Sequence, residues 1–268
     1  VDTDPRRFSS AQGITVGGAG GTPVPKDQQL QGSEKQKVQQ QFDGFGMFIA
    51  MDPPKHDLQR STVTGVVAPP NLAAMATTIR ARAGAILDSL PVGERFDWVD
   101  RVSIELTTQM LATLFDFPFE DRRKLTRWSD VATNPPGTGV TESAEQRRGE
   151  LVECLTYFTA LWNERVKAPK KGDLISMLAH GEATKNMVPF EFLGNLLLLI
   201  VGGNDTTRNS ISGGVLALNE NPAEYAKLRA EPRLIPNMVS EIIRWQTPLA
   251  HMRRTTTQAV ELNGVTIP

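Results

Sequence analysis

Asp205 and Thr206 stand side by side behind Gly202 and Gly203, in the segment "LLLLIVGGNDTTRNS". A carboxyl beside a hydroxyl can pass a proton, and a carboxyl near apolar surface has a pKa that burial readily tunes. The apolar run 196–200, with Val201 after it, asks for more leucine where the glycines appear. Two readings stay open. In one, the glycines end a helix, and Asp205 or Thr206 caps the next. In the other, a single long helix keeps Gly-Gly in its interior at a cost of about 2 kcal/mol relative to Ala-Ala. Such a cost is retained where something must approach the backbone closely or where a turn must open. Hydroxyls and inserted water can perturb the hydrogen-bond ladder at such a point. An acid and an alcohol then face apolar surface with a gap in front, which suits proton delivery to a bound ligand.

Other chemistry-bearing residues come at helical spacing. Glu241 and Arg244, in "SEIIRWQTP", are three apart. Pairs at this spacing are common on solvated faces, but Ile242, Ile243 and Trp245 make this helix more apolar than a surface one. His56 and Arg60, in "MDPPKHDLQR", are four apart. They read either as an exposed basic pair at a helix start or as cationic donors facing carboxylates. Cys154 lies in the periodic "ELVECLTYF" and reads as a small core residue. The glycines of "VGGAGGTP" lack the Lys-Ser/Thr ending and the spacing of a phosphate loop.

Mostly helices must position these groups. Leu72, Met75, Ile79, Ala83, Ile86 and Leu90 recur at helical spacing, as do Val99, Val102, Leu106, Met110 and Leu114. Leu151, Leu155, Phe158 and Trp162 mark another helix, and a long candidate runs from about Pro189 to Asn219. Asp52 is the expected N-cap of a helix opened by Pro53 and Pro54. Further starts are expected at Asn221-Pro222 and at Pro236, the latter ending near Thr247-Pro248. "NPPGTG" at 134–139 is a loop, and "VELNGVTIP" reads as strand, Asn-Gly turn and strand. The fold class expected is mainly α with a minor β element. Residues 1–50 form an irregular region, 51–247 a helical core and 248–268 the start of a small β region, all in a single partial domain.

Bulk properties limit the partners. The chain has 268 residues, 29 Lys plus Arg against 30 Asp plus Glu, and a net charge of −1. This balance gives no support to nucleic acid or an anionic membrane as partner. One cysteine rules out an internal disulfide framework and suits a reducing cytosol. The longest apolar run, roughly ten residues, is too short to span a bilayer. The chain opens without Met and stops just after a hairpin, which by itself rarely holds together. The expectation is a chain cut at both ends.

Taken with these elements, "VGGNDTTRNS" resembles the distal-helix motif of the cytochrome P-450 superfamily, the haem-thiolate monooxygenases, whose pattern is Ala/Gly-Gly-x-Asp/Glu-Thr-Thr/Ser. The resemblance implies haem b (iron protoporphyrin IX) as cofactor. It implies Gly202 and Gly203 as the small pair over the haem face, and Asp205 and Thr206 as the acid–alcohol pair that relays protons to dioxygen. It implies Glu241 and Arg244 as a structural pair behind the haem, and His56, Arg60 and Arg254 as propionate ligands, with Arg253 the competitor of Arg254. His251 stays open between propionate donor and polar core residue. Leu199, Leu249, Ala250 and Met252 fall where substrate is lined. At finer grain, "MFIAMDPPKHD", "GGNDTTRNS" and "PLAHMRRT" resemble the bacterial soluble alkane hydroxylases, which act at the terminal carbon of medium-chain alkanes. Expected partners are a ferredoxin, an NAD(P)H-dependent ferredoxin reductase and an aliphatic substrate. The alternatives are a fatty acid or terpene substrate, a non-catalytic haem- or lipid-binding chain, and an interaction module. The family's Phe-x-x-Gly-x-x-x-Cys-x-Gly loop, which supplies the axial thiolate, is not in this sequence. These 268 residues alone are therefore expected to be inactive, as the middle of a longer enzyme.

Overall fold

Helices carry the architecture, as the recurring apolar spacing predicts. The computed structural model describes residues 4–11, 13–14 and 46–268. These fall into two compact units, one of the described residues up to 67 with 154–198 and 251–268, the other of 68–153 and 199–250. The glycine-rich 16–23 stretch lies outside the described residues. Among the described residues no helix is long and apolar enough to cross a membrane.

In the first unit, α1 spans Lys55–Thr64 and buries Gln59 and Val63. Asp52 is not its N-cap. The helix opens two residues later than expected, after Pro53 and Pro54, with no side-chain cap bond. Asp52 is then too far back to reach the first-turn N–H groups. Its carboxylate instead accepts from Ser9 Oγ (2.5 Å) and the Ser10 amide (2.8 Å). Ser9 belongs to a short strand, β1 (Phe8–Ser9), and Ser10 follows it, inside the stretch expected to be irregular. It pairs antiparallel with β2 (Thr255–Thr256), and a second pair, β3 (Val260–Leu262) with β4 (Val265–Ile267), forms the expected hairpin. Its turn residues Asn263 and Gly264 have φ of 51° and 77°, the positive values a two-residue hairpin loop demands.

The second unit holds α2 (Pro69–Asp88), α3 (Glu105–Phe115) and α4 (Arg123–Thr133). Six π-helical residues, Val99–Ile104, lead directly into α3. Helix α4 was not foreseen, although Leu125, Trp128 and Val131 bury one face of it. Helix α5 (Ala144–Lys167) runs through both units and buries Cys154 completely, as a core residue. The first unit also contains α6 (Leu174–His180), capped by Asp173, which accepts from the Ser176 amide.

The long candidate is one unbroken helix, α7 (Pro189–Glu220). The helix-break reading of Gly202-Gly203 is thereby set aside. Its first turns bury Phe192, Leu193, Leu196 and Leu197 in the first unit. Fully buried Asn195 accepts the Phe48 amide (2.8 Å) and donates to Gln59 Oε1 of α1 (3.0 Å). In the second unit α7 is followed by α8 (Pro222–Ala230) and α9 (Ile235–Gln246), and α9 ends on a left-handed Thr247. Helix α9 lies close to α7, because a β-carbon on Gly214 would meet Ile242 at 2.8 Å. It nonetheless buries no residue completely.

Candidate functional site

The four residues of the Gly-Gly-x-Asp-Thr stretch divide their work by helical geometry, since successive side chains on a helix point about 100° apart. Among the described residues a β-carbon on Gly202 would meet nothing within 4 Å, which leaves this face of α7 open to them. A β-carbon on Gly203 would lie 2.7 Å from Leu111 Cδ2 of α3. Gly203 is therefore small because α3 packs there, and only Gly202 offers bare backbone to a ligand. One turn on, Thr206 Oγ donates to the Gly202 carbonyl (2.9 Å), and Ser210 Oγ donates to the Thr206 carbonyl (2.8 Å). The Thr206 hydroxyl keeps its lone pairs as acceptors while its own proton is engaged.

Asp205 points elsewhere. Its Oδ1 accepts from Arg208 (2.8 Å), Asn204 Nδ2 (3.2 Å) and Ser129 Oγ of α4 (3.3 Å). Arg208 also donates to Asp130 of α4 (3.0 Å). On its far side, fully buried Asn204 has its carbonyl oxygen near Thr126 Oγ (3.4 Å) and near Thr107 Oγ (3.2 Å), whose single proton is shared with the Ser103 carbonyl (2.9 Å), and its amide nitrogen faces Asp205. Burial is the largest influence on the Asp205 carboxyl and pushes its pKa up. The Arg208 charge and the hydrogen bonds from Ser129 and Asn204 pull it down, and Asp130 pushes it up again, with a net rise. Among the described residues no hydrogen bond joins Asp205 to Thr206. The acid and the alcohol are neighbours in sequence but are held by different partners.

In the first unit, His56 and Arg60 lie on one face of α1. His56 Nδ1 pairs with Asp57 (2.7 Å), and Arg60 is exposed. Arg254 is half-buried and donates to the Arg253 carbonyl (2.9 Å). Arg253 is turned toward the Gly13 carbonyl, and its amide donates to the Ile14 carbonyl (2.7 Å). His251 is exposed, which removes its polar-core reading. Met252 is exposed as well. In the second unit, Leu249 and Ala250 are exposed and Leu199 is half-buried. Glu241 and Arg244 form a bidentate pair of 2.6 and 2.8 Å. Both are exposed, on a helix whose Ile243 and Trp245 are exposed as well.

These residues suit haem on the chemistry of each unit taken separately. Gly202 offers an open, side-chain-free helix face, and Arg60 and Arg254 offer guanidinium donors that match carboxylates. Among the described residues there is no cluster of three or more metal-ligating side chains. Sequence reasoning missed Ser129, Asp130, Asn204 and Arg208. Only the buried apolar spacing of α4 could have pointed to the first two.

No family model matches the chain. Linalool 8-monooxygenase of Pseudomonas putida is 32% identical over 221 residues, covering 82% of this chain and 54% of the relative. Methyl-branched lipid omega-hydroxylase of Mycobacterium tuberculosis is 30% identical over 225 residues, covering 82% and 52%. The chain thus spans about half the length of the curated relatives it matches. Cytochrome P450-153 from Novosphingobium aromaticivorans superposes with a TM-score of 0.82 at 49% identity, over 98% of this chain and 62% of that one. With the Gly-Gly-x-Asp-Thr stretch on an unbroken helix and this similarity along nearly its whole length, the chain belongs to the cytochrome P450 family.

Proposed function

We propose that the complete protein carrying this sequence is a haem-dependent monooxygenase that hydroxylates medium-chain alkanes or related aliphatic chains at the terminal carbon. Dioxygen and two electrons, delivered by a ferredoxin and its NAD(P)H-dependent reductase in the cytoplasm, complete the reaction. The observation that carries this reading is the division of labour on α7. Gly202 leaves backbone open, Thr206 presents acceptor lone pairs one turn away, and Asp205 is a half-buried acid with a raised pKa. Haem, when bound, supplies the oxygen chemistry. The residues of the chain exclude water with apolar side chains, hold carboxylates through Arg60, Arg254 and His56, and keep a proton available at Asp205. One relative supports attack at a chain end, since it is named for the omega position of a methyl-branched lipid.

The test is Thr206→Ala in the complete protein. Product formed per NAD(P)H consumed is expected to fall several-fold while electron use continues. Coupling equal to that of the parent enzyme sinks the reading. A substrate panel followed by spectral shift, with alkanes against fatty acids and terpenes, assigns the chain class.

A further inference from the structure

The two oxygens of Asp205 are not equivalent. Oδ1 accepts from three donors on three side chains, Arg208, Asn204 and Ser129. Oδ2 accepts from none among the described residues, and it is not among their sealed, unpartnered atoms. A carboxyl oxygen has two lone pairs, so three inward-pointing N–H and O–H groups saturate it. A proton placed on Oδ1 would displace a donor. The donors cannot turn away cheaply. Ser129 is fully buried with Asp205 as its hydroxyl's acceptor, and Asn204 is fully buried with its carbonyl oxygen held by Thr107 and Thr126. A buried donor left without an acceptor costs about 1–3 kcal/mol.

We infer that Asn204 and Ser129 are positioning residues that reserve Oδ1 as an acceptor and confine the exchangeable proton of Asp205 to Oδ2. This rests on the reading of Asp205 as the acid of a proton relay, and it adds which atom delivers. The proton arrives at Oδ2, leaves from Oδ2, and the C=O character stays on Oδ1 in the neutral state. The charged groups facing the carboxyl are Arg208 from its own helix and Asp130 from α4. Arg208 anchors Oδ1 in both protonation states.

The experiment is infrared difference spectroscopy of the complete protein with 13C-labelled aspartate, the Asp205→Asn spectrum being subtracted to isolate the Asp205 band. Protonation at Oδ2 makes Oδ1 the carbonyl oxygen, which carries three hydrogen bonds. The neutral C=O stretch is then expected at low frequency, moving up in Ser129→Ala and up again in Asn204→Ala. A stretch that is already high in the parent protein and indifferent to Ser129→Ala puts the proton on Oδ1 and overturns the inference. So does the absence of any neutral Asp205 band before acid unfolding. The parent spectrum alone decides between these outcomes if Asn204→Ala does not fold. Failure of the relay reading looks different. Asp205→Asn would then leave product per NAD(P)H unchanged, whatever the position of the stretch.

Discussion

At the residue scale, neighbouring glycines have opposite reasons to be small. Gly203 accommodates Leu111, a buried side chain of α3, whereas none of the described residues presses on Gly202. Replacing glycine by alanine in a helix interior gains about 1 kcal/mol of propensity. Gly202→Ala is therefore expected to stabilise the chain by about that amount in urea unfolding. Gly203→Ala must also push Leu111 aside, and crowding of this kind costs about 1–3 kcal/mol, so its net effect is expected to be zero or destabilising. Equal stabilisation by both substitutions contradicts the assigned contacts. The sequence made both glycines visible, because two together break an apolar run. It gave no way to tell which of them faced a neighbouring helix, since that depends on where α3 lies. The same holds for Asp205. Its type and position were legible, but its three donors come from a rotation of α7 and from a helix distant in the chain.

At the element scale, α4 shows how a missed helix hides part of a site. Ser129 and Asp130 reach Asp205 and Arg208 only because Leu125, Trp128 and Val131 bury the adjoining face of α4. The start of α4 is fixed by a charge cluster. Glu105, the first residue of α3, accepts from Arg122 through both Nε (3.0 Å) and a terminal nitrogen (2.7 Å), and from Arg123 (3.1 Å). Arg123 also donates to Asp100 in the π-helical lead (2.6 Å). Glu105 is largely shielded, and hydrogen bonds to a charged group contribute about 1.5–3 kcal/mol. Glu105→Ala is expected to lower stability by about 2 kcal/mol, read as a shift in the urea midpoint with unchanged slope. An effect within a few tenths would mean the cluster is solvent-screened decoration. Where an element had a long apolar period or a proline start, as in α2, α5, α7 and α8, it could be read directly. The Asp52 cap failed because two consecutive prolines displaced the helix start, and α4 escaped because its length is only 11 residues and its charges are frequent.

At the scale of the whole molecule, carboxyl groups pull stability in opposite directions with pH. Burial raises the pKa of Glu105, but hydrogen bonds from Gln109 and Arg122 and the charges of Arg122 and Arg123 outweigh it, leaving it below its ordinary value of 4.5. Glu150 is likewise lowered, chiefly by its hydrogen bond from Arg127. Groups of this kind support the fold above their unfolded pKa and lose that support as pH falls through the folded one. Asp205 has the reverse sign. Its raised pKa means the folded state binds the proton more readily, so its contribution falls as pH rises from the ordinary 3.8 toward the folded value. Asp205→Asn is therefore expected to gain stability relative to the parent across that interval and then to level off. Glu105→Gln should flatten the acid limb below about 4.5 instead. Midpoints of urea unfolding measured from pH 3 to 8 check both signs, and a parallel shift at every pH refutes the assignment. Charge balance and mainly helical character were legible in the composition and spacing. The sign of each carboxyl's contribution was not, because it follows from burial and from which arginine comes near.

The single cysteine has a practical consequence. Cys154 is wholly enclosed in the core where α5 packs, so within these 268 residues a thiol-directed reagent finds no exposed natural target. A cysteine introduced on the exposed surface of either unit would take up a spin label or a fluorophore alone, with the natural residue left in place. One label on α1 and a second on α9 would turn the molecule into its own ruler, reporting in solution the distance between the two units and its change when a ligand is added.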